Sequence, residues 1–475
     1  MSKKTIVDGN VFEFTGGNNI TYGKKGIENS ASKVSQKGTD KGVTHNPPNT
    51  YETIQNLKGV KVTAILFFDG TKNNRNNTFR RLDKDKKTKT SAESKTIYHK
   101  NYEEESSYEN GYSNVAALAY MAIEDEKSKI VKEYIEGEGT DDNVKGDTQG
   151  YGFGSGDTGI PIKVNKGFAK INARINNVYN NKEYVSELTF HVFGFSRGAA
   201  AARSFITTTQ ARFKKTYPKA EITYAFVGLF DTVSSYEPKG NFGKYGSALE
   251  HNFENDVTEL KLQLAGIPKK VIHLIAENEY RENFSLTTIA SSIAAGVGFE
   301  LQLPGAHSDI GGGYEEYEHI EKRNLHRANR DDYILLEEGW YTDKQIKYPG
   351  TINCIGIRKL KNSYQFIPLV IMMHFAMKYG IKFESFDKNS ENKAFKVIPE
   401  LENVKNKLLN LAIQKDGAVK ISAKLNNITE LKNLRNRYLH ISANADLLAL
   451  GMGENVPSIW STEVKRNIIQ DNLLV

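Results

Sequence analysis

Gly194, Phe195, Ser196, Arg197 and Gly198 form a Gly-x-Ser-x-Gly sequence, with the apolar run ELTFHVF before it and the small-residue run GAAAARSF after it. A serine hydroxyl is a weak nucleophile until a base accepts its proton. A strand that turns sharply into a helix at a glycine-flanked serine supplies the exposed geometry, because the small neighbours let the two backbones approach while the hydroxyl projects from the bend. The chemistry this suggests is acyl transfer through a covalent serine intermediate; a plain structural turn is the alternative.

A base and an orienting acid must come from elsewhere in the chain. Among ten histidines, His307 in LPGAHSDIGGGY follows an apolar stretch and begins a flexible turn, the position expected of a catalytic imidazole. His191 lies in the strand entering the serine, and His273 in VIHLIA reads as a core or helix-face residue. Asp231 closes the apolar strand AFVGLFD, where a carboxylate at a strand end can meet a histidine from another loop without being buried alone. Its structural rival is bonding to the Thr232, Val233 and Ser234 backbone. Asp309, in the same turn as His307, is a competing acid or a stabiliser of that turn. The order Ser196, Asp231, His307 is the one found in α/β-hydrolases.

The stretch LFFDGTKNN, Leu66–Asn74, also follows a strand. A backbone amide of Gly70 or Thr71 could pair with that of Arg197 to bind an oxyanion. Asp69 would orient this loop, unless it only closes a compact Asx-type turn. Asp69, Asp231, His307 and Asp309 have no metal-cassette spacing, and neither HExxH nor an EF-hand loop occurs. No catalytic metal and no cofactor are expected. The glycine-rich segment Gly137–Gly159 lacks a phosphate-loop sequence and reads as a loop at the rim of the site.

The surrounding elements alternate. VKVTAILFF is a nearly continuous apolar run, the pattern of a strand covered on both faces; ELTFHVF and EITYAFVGLF are further strands, and GYSNVAALAYMAI reads as a helix capped by Ser113 or Asn114. The predicted class is α/β, an α/β-hydrolase-like, mostly parallel central sheet with flanking helices and large insertions. Residues 1–56 read as a weakly ordered arm with a hairpin at NVFEFTGGNNITYG, and 57–360 as the catalytic core with its loop insertions. Residues 361–475 read as a mainly helical cap or partner-binding region that can pack on the core, with helices at NVKNKLLNLAI and ITELKNLRNRY. Arg81–Lys95, charged and without hydrophobic periodicity, reads as an exposed loop.

With 475 residues there is room for a core and large insertions or a second domain. The single cysteine, Cys354, excludes an intrachain disulfide framework. A net charge of +7 could attract anionic surfaces, but there is no paired basic-and-aromatic motif of a nucleic-acid reader, and no nucleic acid is expected. No ordinary secretory signal opens the sequence. The apolar stretches Ser285–Phe299 and Tyr364–Gly380 are too short to span a bilayer; each is either buried core or a cover over the site.

Taken together, HVFGFSRGAAAARSF, LFFDGTKNN, LFDTVSS and PGAHSDIGGGY resemble the bacterial type VI secretion phospholipase effectors, the first family of lipase effectors, from about Val60 through Gly380. RNRYLHISA, Arg435–Ala443, extends the likeness. The resemblance implies Ser196 as nucleophile, Asp231 as acid and His307 as base. It also implies hydrolysis of an acyl ester of membrane glycerophospholipid, by an antibacterial toxin made in the cytoplasm and delivered into a competitor's periplasm. The partners it implies are a separate spike or adaptor protein and a cognate immunity protein. A soluble carboxylesterase or peptidase with the same triad, and an inactive secretion adaptor, are the alternatives.

Overall fold

The computed structural model describes residues 57–442 and 466–471, apart from 105, 148–149, 151–153, 237–255, 282–283, 316–318, 327–330, 350–352, 418–419, 424 and 426. The N-terminal arm and its hairpin lie outside the described residues.

The first strand, β1 (Lys58–Phe68), is followed by helices α1 (Arg75–Asp83), α2 (Ser91–Asn101) and α3 (Asn114–Met121) and by β2 (Ile130–Ile135). Then come α4 (Ile160–Asn177), β3 (Glu183–Phe195), α5 (Arg197–Thr216), β4 (Glu221–Phe230) and β5 (Val271–Ala276). A short β6 (Leu286–Thr287) precedes β7 (Gly298–Leu303) and the one-turn helix α6 (His307–Gly311). Beyond it lie β8 (His319–His326), β9 (Ile346–Lys347), β10 (Asn353–Leu360), α7 (Phe366–Lys378), α8 (Glu402–Gln414), β11 (Lys420–Ser422), α9 (Ile428–Arg437) and β12 (Ile468–Ile469).

Among the described residues the main sheet has seven strands in the order β11-β7-β5-β4-β3-β1-β2, and every neighbouring pair in it is parallel. The predicted α/β class is the observed one. Period-two alternation explains why β1 is apolar on both sides. Val62, Ala64, Leu66 and Phe68 enter one core with residues of α4 and α5, whereas Ile65 and Phe67 enter another with residues of α3 and α7. Phe67 stacks on Phe193 of β3 at 5.1 Å, joining neighbouring strands on the second face.

Ser113 caps α3, its hydroxyl accepting from the Ala116 amide at 3.0 Å, as the sequence predicts. Tyr364–Gly380 is core: Ile367, Leu369, Ile371, Met372, Phe375 and Ala376 of α7 are fully buried. Pro368 sits in that helix's first turn, where its missing N–H has no intrahelical acceptor to lose. Ser285–Phe299 is divided between β6, a one-turn helix Ala290–Ala294 and the start of β7. Among the described residues, no helix is long and apolar enough to cross a membrane.

One sequence expectation fails. Arg81–Lys95 is not an exposed loop throughout, because α1 reaches Asp83 and α2 begins at Ser91. The Asp83 carboxylate gathers the hydroxyls of Thr88, Thr90 and Ser94 at 2.7–2.8 Å, and Arg80 bonds Glu93 at 2.9 Å. Polar side chains, rather than an apolar stripe, join these two helices.

The turn between β3 and α5 depends on its glycines. A Cβ on Gly198 would lie 2.0 Å from the Asp69 carbonyl oxygen and 2.5 Å from that of Phe68, and one on Gly194 would lie 2.5 Å from the Ala199 Cα. These contacts are with backbone, which cannot rotate away. Gly198→Ala is therefore expected to destabilise the fold by about 3 kcal/mol, at the upper end of overpacking costs, read as a lower denaturant midpoint with unchanged slope.

Candidate active site

Ser196 occupies the bend between β3 and α5 with φ 56° and ψ −128°. A non-glycine residue rarely holds such a backbone, which costs about 1–3 kcal/mol and persists only where its surroundings over-determine it. Here the Ser196 amide donates to the Phe230 carbonyl at 3.0 Å, while its own carbonyl accepts from Ala199 at 3.0 Å and Val233 at 3.3 Å. Ala199–Ala202 are fully buried, so the helix lies close on the sheet. The bond to Phe230 sets the serine beside the end of β4, where Asp231 follows.

The Asp231 carboxylate is fully buried and has four hydrogen bonds to described residues. His307 Nδ1 lies 2.5 Å from Oδ2, and the Ala276 amide donates to Oδ1 at 2.9 Å. Arg466 grips both oxygens, Nη1 on Oδ1 at 2.7 Å and Nη2 on Oδ2 at 2.9 Å. Burial alone would raise the proton affinity of Asp231, but Arg466 and His307 hold it far below the usual carboxylate range.

His307 opens α6. Its ring packs 4.7 Å from the ring of Phe195, the residue before the serine, and edge-on to Phe284 at 5.0 Å. Burial lowers the proton affinity of the imidazole, with Asp231 pulling the other way. The same helix rests on the serine's strand, since a Cβ on Gly311 would strike the Phe195 ring at 1.9 Å. Ser196, Asp231 and His307 thus occupy one corner at the carboxyl ends of β3, β4 and β7. Among the described residues the Ser196 hydroxyl has no hydrogen-bond partner; in many hydrolases the link from nucleophile to base tightens only with substrate bound.

Asp309 turns elsewhere. Its Oδ2 accepts from the amides of Ala306 and His440, 2.9 and 2.8 Å away, and its Oδ1 meets His440 Nδ1 at 2.8 Å. Of the two acids the sequence left in competition, Asp231 is the one bonded to His307.

The Gly70 amide donates to the carboxylate of Asp69 at 2.8 Å, and the Tyr134 hydroxyl donates to the same group at 2.6 Å. Burial lifts Asp69 to about 6, although these bonds and Ser113 work against it. Asp69 therefore holds the loop rather than meeting His307. Among the described residues the buried Thr71 hydroxyl has no hydrogen-bond partner. Arg197 begins α5, where the first amides have no intrahelical acceptor. Its buried guanidinium is lowered to about 10, with Glu138 opposing, and burial lifts Glu138 to about 7. A Cβ on Gly154 would lie 2.8 Å from the Ser235 carbonyl and 3.3 Å from the Arg197 side chain. That puts the glycine-rich segment next to the serine turn, as its reading as a rim loop requires.

His191 is buried in β3 and lowered to about 4 by that burial. His273 lies in the core of β5, bonded to Glu300 at 3.0 Å and to the Thr232 amide at 3.0 Å. Among the described residues, no three His, Cys, Asp or Glu side chains converge in a way that could hold a metal ion.

Sequence reasoning missed two contributors. Arg466 stands in KRNII, a segment with no motif around it. Glu279 is buried, accepts the His307 amide at 3.2 Å and chelates Arg281 at 3.0 Å; burial opposes its charge, but Arg281 lowers it to about 2. The Glu-x-Arg spacing of ENEYR was the available signal for that pair.

The model of the T6SS phospholipase effector Tle1-like catalytic domain matches residues 206–329, a segment that contains Asp231 and His307 and begins beyond Ser196. The chain is also similar to the structure of the Tle1 effector bound to the VgrG spike from the type 6 secretion system. The identity is 22%, the TM-score 0.55, and the alignment covers 94% of this chain and 98% of that one. This is the Tle1-like fold. The Tle1-like likeness carried by the sequence motifs is matched by both comparisons. A crystal structure of an uncharacterized protein from Pseudomonas aeruginosa aligns at 17% identity and a TM-score of 0.42, over 80% of this chain and 53% of that one. No curated protein matches the chain significantly.

Proposed function

We propose that this chain is a serine phospholipase A, a Tle1-like type VI effector that removes an acyl group from membrane glycerophospholipid. The observation that carries the reading is the strained Ser196 turn packed beside the bonded Asp231–His307 pair. The Tle1-like catalytic-domain match over residues 206–329 supports phospholipase chemistry. In this mechanism His307 Nε2 accepts the Ser196 proton as the oxygen attacks the ester carbonyl, and Asp231 orients the ring through Nδ1. The amides of Arg197 and Thr71 bind the tetrahedral oxyanion, Gly70 being bonded to Asp69 instead. Collapse expels the lysophospholipid alcohol, protonated by His307. Water activated by the same imidazole then releases the fatty acid from the acyl-serine.

As a Tle1-like effector, the chain is proposed to travel on a separate spike or adaptor protein to a target cell's periplasm. There it meets the membrane peripherally, and in the producing cell an immunity protein neutralises it. The related Tle1 effector has been seen bound to a VgrG spike.

The direct test supplies glycerophospholipid labelled separately in each acyl chain to wild type and Ser196→Ala, and identifies the products by mass spectrometry. Fatty acid and lysophospholipid from wild type alone are expected; equal release by both proteins would remove Ser196 from the mechanism. A neutral imidazole is the base, and burial pushes His307 below its ordinary value of 6.5. The acid limb of kcat/KM is therefore expected below pH 6.5, with activity held on the alkaline side of it; a half-maximal point above 7 would contradict this environment for His307.

A further inference from the structure

The last described residues of the chain run past the site as a strap. β12 pairs with β6 through Ile468 opposite Leu286 and Ile469 opposite Thr287. On either side of this ladder the strap exchanges a charge with the core. Arg466 gives its fork to Asp231 and its Nε to the Phe284 carbonyl at 2.7 Å. Asp471 takes Arg203 of α5 at 2.8 Å, along with the amide and hydroxyl of Ser291 at 2.7 and 2.6 Å. Arg203 and Asp471 are both wholly buried. The helix that follows the serine and the carboxylate that meets the histidine are thus both tied to the same six residues.

We propose that Arg466, carried in by this strap, is a positioning residue for the hydrolysis: it fixes the Asp231 carboxylate toward His307 and offsets its charge, keeping the imidazole a neutral base. The inference rests on the proposed triad but concerns a residue outside it. Two parallel N–H···O bonds leave the carboxylate no freedom to rotate, at a residue whose φ of 42° is itself unusual. Among the described residues, the charges facing His307 are Asp231 at Nδ1, with Arg466 on the same carboxylate oxygen, and Glu279 with Arg281 behind its backbone. The rings of Phe195 and Phe284 pack on the remainder, and Asp309 on the same helix is taken by His440. With Glu279 already answered by Arg281, removal of Arg466 leaves His307, among the described residues, to balance the Asp231 charge by taking a proton.

The test compares full-length wild type, Arg466→Gln and Arg466→Lys, with two readouts. NMR titration of the imidazole signals, with His307 assigned through His307→Gln, needs no turnover. In Arg466→Gln the His307 midpoint is expected to rise by about one pH unit, because a nearby like charge that disfavours the imidazolium is removed. The acid limb of kcat/KM on a soluble aryl ester should rise with it. Arg466→Lys keeps the charge without the fork, so its limb should stay at the wild-type pH while its plateau falls several-fold.

An unmoved His307 midpoint in folded Arg466→Gln would overturn the proposal, as would a loss of activity equal at every pH. Should the Gln variant not fold, the Lys variant decides: wild-type kcat/KM throughout overturns the proposal, and a lowered plateau with an unmoved limb supports it. An inactive wild type whose His307 midpoint still depends on Arg466 would count against the hydrolase reading and leave the positioning role standing.

Discussion

Ser196→Ala is expected to lower kcat/KM for ester hydrolysis by about 10⁴-fold or more, since removing the nucleophile of a triad forfeits the cooperative action of all its members. The fold should survive. The bend is held by backbone bonds from Phe230, Ala199 and Val233, and none of them uses the hydroxyl. Alanine meets the same backbone strain at φ 56° as serine does, so the melting temperature should stay within a few degrees. Ser196→Gly should be as inactive yet more stable, because glycine takes positive φ without steric cost. Fatty-acid release and thermal melts on the three proteins check both halves. An alanine variant that is unfolded, or that turns over at the wild-type rate, contradicts the assignment.

The second large effect separates the two acids. Asp231→Asn is expected to reduce kcat by about 10⁴-fold, the loss seen when an amide holds the triad histidine in the wrong tautomer. It should also weaken the hold on the Arg466 guanidinium, which gives two of its hydrogen bonds to this carboxylate and a third to the Phe284 carbonyl. Asp309→Asn should leave kcat within about tenfold, because that carboxylate holds the His440 backbone and ring rather than His307. Its effect should fall on stability instead, about 1.5–3 kcal/mol for weakening a buried charge-assisted hydrogen bond. Parallel kinetics and urea titrations distinguish the pair. A collapse of turnover confined to Asp309→Asn would reverse the roles assigned to them.

What the sequence made legible follows the range over which each feature is determined. The serine turn could be read because its requirements are local: an apolar strand, two glycines and four alanines lie within a few positions of Ser196. The covered strand β1 could be read because a run apolar at every position has to face two cores. Asp231 and His307 could be placed at the ends of apolar runs, but the choice between Asp231 and Asp309 could not be made, since both sit at turns and only the fold decides which faces the imidazole.

Arg466 was beyond reach for a different reason. Its partner lies 235 positions away, and the strap that delivers it has no periodicity, glycine signal or cap. The α1–α2 pair was missed because hydroxyls gathered on Asp83 hold it, whereas hydrophobic patterning registers only apolar stripes. Both omissions are polar contacts, which leave no repeat in a sequence.

The most direct measurement of the central claim is covalent labelling of the nucleophile. The full-length protein would be treated with a fluorophosphonate, which phosphonylates activated serines, and the adduct located by tandem mass spectrometry. The account predicts one dominant adduct on Ser196, slowed strongly in His307→Gln and Asp231→Asn and little changed in Asp309→Asn. A protein that hydrolyses phospholipid while its adduct forms on another residue, or labels Ser196 equally without His307, would contradict it.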